Sequence, residues 1–165
     1  MAYTATKYTA QFGLRLIDNL QTYLEASTAT ALAEIDATLP NFVDFRTPTP
    51  IILNFPALFI STSSEQIEQS DDDAYLRSRV EFLIDIAIDG IDPYTLQRAI
   101  LKYLLAVDRV LRTMSVTDLL GAATTSAVSE PIWEVTEHQL GTLRQGDTIY
   151  RMDARIILVI QNLER

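Results

Sequence analysis

The residues that could do chemistry are few, and their spacing argues against a catalytic centre. His138 is the sole histidine, so neither a two-histidine metal site nor a histidine pair for acid and base steps can be assembled within one chain. A lone base beside Glu134 or Glu137 is the remaining arrangement, yet strand alternation puts Glu134, Thr136 and His138 on one face and Glu137 on the other. Asp71, Asp72 and Asp73 offer adjacent carboxylates, but the glycine and terminal glutamate of a calcium loop are both missing, which predicts a solvated loop. Neither common glycine-rich phosphate loop is present, and Gly141 to Gly146 reads as a hairpin connection without the strand-to-helix setting such loops need. Trp133, the only tryptophan, lacks basic or aromatic neighbours and so reads as a core or interface anchor in preference to a stacking platform for bases. With no cysteine, disulfides, thiolate metal sites and a cysteine nucleophile are excluded. The expectation is a protein that is not an enzyme and holds no metal and no cofactor.

The elements that would position these residues are legible from period and punctuation. Val80, Phe82, Ile84, Ile86 and Ile88 alternate with Glu81, Asp85 and Asp89, the signature of a half-buried strand. Gly90, Asp92 and Pro93 then mark a turn, a helix cap and a first helical turn. Beyond them Leu96, Ala99, Ile100, Tyr103, Leu104, Val107, Val110, Leu111 and Met114 form one helical stripe, with Gln97, Arg98, Lys102, Asp108 and Arg109 mostly opposite. A first helix is predicted from about Tyr8 to about Ala37, with Phe12, Leu16, Leu20, Tyr23, Leu24, Leu32 and Ile35 inward and a weak point at Ser27 to Thr30. Asn41 to Pro56 reads as an extended arm or edge element. Ala57 to Thr62 reads as a short strand, and Ser63 to Ala74 as a protruding acidic loop. Val116 to Ser129 reads as a short helical turn and a connection with little core. Ile132 to Leu140 and Ile149 to Ile160 read as a closing strand pair, the last strand apolar on both sides at Ile157 and Val159 and hence central in a sheet or at an interface. Its other positions put Tyr150, Met152, Ala154, Ile156, Leu158 and Ile160 on one face, and Arg151, Asp153 and Arg155 on the other.

These elements predict an α+β fold, a mixed or antiparallel β-sheet flanked by a long N-terminal helix and a second amphipathic helix, in one domain over residues 1–165. No apolar run approaches the ~20 residues of a membrane span, and the amino terminus lacks the long apolar core of a secretory signal, so an intracellular product without membrane contact is expected. The formal net charge is −9. Between Ser61 and Pro93, nine acids against the two bases Arg77 and Arg79 leave a local balance of −7. Such a surface disfavours tight binding to phosphate backbones; it is either a solvated hairpin or a wall that DNA passes without sticking.

The order of elements, with Ile84 to Asp89, Asp92-Pro93, Leu96-Gln97-Arg98 and Tyr150 to Ile156, resembles the tail terminator and neck proteins of long-tailed bacteriophages over most of the chain. The segment Thr47 to Pro56 is richer in proline than that family's pattern. The resemblance implies a structural virion protein at the tail-neck junction, assembled in the host cytoplasm. Such proteins form a ring, usually of six copies, that caps the head-proximal end of the tail tube, stops its elongation and joins it to the head connector. Implied partners are other copies of the chain, the tail tube protein, the sheath protein where there is one, and a connector or stopper protein, with DNA passing through the channel without specific binding. The alternatives are another neck or head-completion protein, or a non-viral binding domain. Candidate ring-interface or channel-facing residues are Asp71, Asp72, Asp73, Arg77, Arg79, Glu81, Arg151, Asp153 and Arg155.

Overall fold

The computed structural model describes residues 12–45, 54–69, 76–120 and 129–164. The element order is α1 (Phe12–Asp36), β1 (Ala57–Gln69), β2 (Leu76–Gly90), α2 (Pro93–Thr113), α3 (Val116–Leu120), β3 (Ser129–Leu140), β4 (Arg144–Gln145) and β5 (Tyr150–Glu164). The strands form one five-stranded sheet in the order β1-β2-β5-β3, with β4 pairing β5, and every pairing is antiparallel. The protein is therefore α+β, as the pattern predicts.

Sheet parity decides where the core lies. On β2 the positions Val80, Phe82, Ile84, Ile86 and Ile88 are buried, and on β5 so are Met152, Ala154, Ile156, Leu158 and Ile160. Register pairs them directly, Val80 with Ile160 through Ile88 with Met152, so one face of the two central strands is continuous hydrocarbon. The amphipathic α2 covers that face with Leu96, Ile100, Tyr103, Leu104, Val107, Val110 and Leu111, all in the same core. Each such side chain contributes roughly 1.5–3 kcal/mol when removed from water. Asp92 starts the helix as its cap, accepting a hydrogen bond from the Thr95 backbone N–H at 2.9 Å. Pro93 follows at the first position, where its missing N–H costs nothing.

The first helix packs beside α2 and buries Leu16, Leu20, Leu24 and Leu32, with Tyr23 and Ile35 partly covered. The weak point foreseen at Ser27 to Thr30 is not a break, since α1 is continuous through Asp36. Thr28 is buried, and its hydroxyl donates to the Leu24 carbonyl at 2.8 Å, which satisfies it inside the helix. Two contacts tie the end of α1 to α2: Lys102 Nζ lies 2.5 Å from Asp36, and the Tyr103 hydroxyl donates to the Pro40 carbonyl at 2.5 Å. The extended reading of the following arm holds at its two ends, where Val43 N–H donates to the Pro56 carbonyl and Leu58 N–H to the Asp44 carbonyl. Residues 46–53, which include most of the proline-rich segment, lie outside the described residues.

Three further expectations are corrected. The polar stretch from Ser63 onward is strand up to Gln69, not loop, because Ser64 to Gln69 pair with Glu81 to Leu76 of β2; its polarity reflects an edge strand with exposed faces. The region after α2 does contribute to the core, as Leu119 and Leu120 of α3 are buried. Asp108 does not sit on a solvated helix face: it is 9% exposed and lies between Arg112 and His138.

Burial pushes the ionisation of Tyr103 up to about 12. Because that value lies above the ~10 of an exposed tyrosine, the stability it confers is complete below about pH 10 and lost as pH rises through 12. Tyr103→Phe should lower unfolding stability at neutral pH by about 1 kcal/mol through loss of the bond to Pro40, and should reduce the alkaline loss. Urea denaturation at pH 8 and pH 11 measures both.

Candidate functional site

Among the described residues the helices cover one face of the sheet and leave the other bare, and the chemistry of that bare face follows from parity. Odd-numbered residues of β2 and β5 point there, so Arg77, Arg79, Glu81, Arg151, Asp153 and Arg155 all share it. Every described candidate residue is thus on a single surface. Asp71, Asp72 and Asp73 lie outside the described residues, in the connection between Gln69 and Leu76.

The candidates divide between two ends of the face. At the hairpin end, Arg77 lies 3.9 Å from Glu68 across the β1–β2 pair, and Arg79 and Glu81 follow along β2. At the other end Asp85 and Arg155 occupy opposed positions of β2 and β5 and form a two-pronged ion pair, Arg155 Nε to Oδ1 at 2.7 Å and Nη2 to Oδ2 at 3.1 Å. The Asp85 carboxylate raises the ionisation of the Arg155 guanidinium further. Arg144 of β4 reaches Asp153 at 3.4 Å. Arg151 instead stacks on Phe55, with its guanidinium carbon 4.4 Å from the ring centroid. Phe55 packs with Ala57, Phe59 and Ala87 in a small apolar cluster, so this end has an apolar floor. Phe59, Asp85, Ala87, Leu140, Arg144, Arg151, Asp153 and Arg155 line an open depression there. Gly141 borders it at a close approach: its N–H donates to the Asp153 carbonyl at 2.8 Å, and a Cβ would come within 2.9 Å of that oxygen.

Asp85 is paired with Arg155 and Glu68 faces Arg77, while Glu81 and Asp89 are further anions on β2, so the described part of the face carries both signs. The central apolar end of β5 is accounted for in the same geometry. β5 lies between β2 and β3, and Val159 on the bare face is 5% exposed.

His138 is on the opposite face from the one its neighbours suggest. Register shifts between Val135 and Glu137, and this bulge adds one residue to β3, so His138 joins Trp133 and Val135 on the helix side while Glu134 and Glu137 share the bare side. The simple alternation that grouped His138 with Glu134 is thereby corrected. His138 Nε2 lies 3.1 Å from Asp108 Oδ1, and Arg112 Nε lies 2.7 Å from Oδ2 of the same carboxylate. Nearby, the Trp133 indole N–H donates to the Leu111 carbonyl at 3.2 Å. Both contacts fasten the edge strand β3 to α2. Among the described residues no group of three or more histidine, aspartate or glutamate side chains is arranged to hold a metal ion, and no helix is long and apolar enough to cross a membrane. Sequence reading missed Asp85, Arg144 and Phe55 as members of the bare-face cluster, because register and the return of β4 bring them there.

No family model matches the chain, and no curated protein matches it. Among solved structures, a chain from the virion of a native gene transfer agent particle is distantly similar. The TM-score is 0.31 and the identity 14%, over 84% of this chain and 94% of that one.

Two substitutions separate fastening from chemistry. His138→Gln keeps a polar group facing Asp108 and should cost less than ~1 kcal/mol, whereas Asp108→Ala leaves both His138 and Arg112 without their anion and should cost about 1–3 kcal/mol. Equilibrium unfolding of both variants gives the comparison. The acid limb of stability has a separate source: hydrogen bonds from Lys102 and Thr38 hold the Asp36 carboxyl below its ordinary 3.8. A depressed carboxylate stabilises above its unfolded value, so stability should fall as pH drops below about 4, and Asp36→Asn should flatten that fall in pH-dependent melting curves.

Proposed function

We propose that this chain is a structural subunit of a virion, forming a closed ring of six copies that caps the head-proximal end of a phage tail tube. The ring stops tube elongation and joins the tail to the head connector, and DNA moves through its channel without specific binding. The chain acts as one domain whose work is mechanical; no bond is made or broken.

The observation that carries this reading is a sheet with two long edges left open on opposite sides. Among the described residues, β1 beyond Leu58 pairs only with β2, and β3 pairs only with β5. Two different exposed edges on one subunit suit a head-to-tail contact, and such contacts close into rings when the rotation per subunit divides the circle. Both edge strands carry a bulge, β1 between Thr62 and Ser64 and β3 between Val135 and Glu137, which limits indiscriminate strand addition and favours a partner of matching shape. The element order and the Asp92-Pro93 and Tyr150 to Ile156 patterns support the tail terminator reading over an unrelated binding domain. The bare face, with Arg77, Arg79, Glu81, Arg151, Asp153 and Arg155, supplies contacts to neighbours or to the channel. The tail tube protein and a connector or stopper protein are the partners on the two ring faces, and a sheath protein is a further partner where the tail contracts.

Negative-stain imaging and light scattering of the protein, alone and with tail tubes, test this. Rings or capped tube ends are expected, and a strict monomer that never joins a tube end would refute the proposal. Particles lacking the protein should have overlong or unjoined tails; full-length tails with heads that leak DNA would assign it to the stopper role instead.

A further inference from the structure

We infer that the arginine-bearing depression on the bare face receives the acidic hairpin connection, Asp71 to Asp73, of a second copy of this chain. The inference deepens the ring assembly proposed above and rests on it.

The receiving site is built from opposed features of one surface. Arg144, Arg151 and Arg155 converge on a depression floored by Phe59 and Ala87. Arg155 is held in place by Asp85, and Arg144 contacts Asp153 at 3.4 Å with most of its side chain exposed. Arg151 differs from both. Its guanidinium is stacked on Phe55, and no carboxylate is bonded to it among the described residues. A guanidinium fixed by stacking keeps its edge free to donate to a carboxylate in a two-pronged geometry. The depression therefore presents one uncommitted cation and one loosely held one beside an apolar floor.

The occupant is identified by charge and by reach. Three consecutive aspartates lie in the connection between Gln69 and Leu76, and no other stretch of the chain carries three successive acids. They belong to the far end of the sheet: Leu76 pairs with Glu164, whereas the depression lies where Asp85 pairs with Arg155. At ~3.3 Å per residue those positions are about 30 Å apart along β2, and half of so short a connection extends about 10 Å, so the aspartates cannot reach the depression of their own subunit. A donor at one end and an acceptor at the other make the contact heterologous, the type a ring requires.

A charge exchange tests the contact. Sedimentation velocity is measured for the parent, for Arg144→Glu with Arg151→Glu, for Asp71→Lys with Asp72→Lys and Asp73→Lys, and for the combination of all five. The parent should self-associate, with affinity falling as salt rises; each reversed set should weaken association at least about tenfold, and the combination should restore it. Arg151→Gln, which removes charge without reversing it, should weaken association less than reversal does, and thermal melting of every variant reports that the fold is kept. A monomeric parent, reversed sets that associate like the parent, or a combination that fails to recover would overturn the contact. Negative-stain imaging distinguishes the two levels. Rings that persist in the reversed sets leave the ring reading standing without this contact, whereas open chains that follow the charge exchange leave the contact standing without the ring.

Discussion

The pairing of β2 with β5 is the constraint on which everything else depends. Register runs without interruption from Leu76 opposite Glu164 to Gly90 opposite Tyr150, so the period-two pattern of each strand is locked to the other along its whole length. A slip of one residue would turn Phe82, Ile84 and Ile86 outward and bring Glu81 and Asp85 beneath α2, which no local adjustment could offset. That lock sorts the chain into a hydrocarbon face for α2 and α1 and a charged face for solvent or a neighbour. It also brings Asp85 opposite Arg155.

Edge strands and central strands solve different problems in this molecule. The central pair is regular and buried on its helix side, whereas β1 and β3 are bulged and polar along much of their length. In β3 the bulge has a second effect beyond guarding an edge. By reversing parity after Val135, it turns His138 inward to Asp108 and frees Glu137 for the outer surface. The strand is thus fastened to α2 at two points, Trp133 and His138, on either side of the irregularity.

Much of this was legible in the residue pattern. The alternation from Val80 to Ile88, the Asp92-Pro93 helix start and the three-four stripe from Leu96 to Met114 each have a local cause, and each element lies where that cause puts it. What the pattern could not show depends on partners distant in the chain. Ser63 to Gln69 is polar enough to read as loop, and it is strand only because β2 provides its ladder. The face of His138 depends on an inserted residue whose presence is decided by pairing with β5. Asp108 read as a solvated helix residue because its two side-chain partners, Arg112 one turn on and His138 from β3, become relevant only after folding. The bare-face residues could be named singly from alternation, but their grouping into two ends required the register.

The uneven cover along the β1–β2 hairpin has a consequence for motion. On the helix side of β1, burial ends after Ile60: Thr62, Glu65 and Ile67 are exposed, and Ile67 keeps 46% of its surface. Backbone amides there are held by one ladder with little hydrocarbon above it, while those of β5 opposite Phe82 to Ile88 lie under a full layer of helix. Opening of the hairpin's outer half is a local event separate from unfolding of the core, so amide exchange should be graded along a single strand, fast near Gln69 and slow near Leu58. An arm hinged in this way can search for a partner surface while the sheet that carries it stays intact.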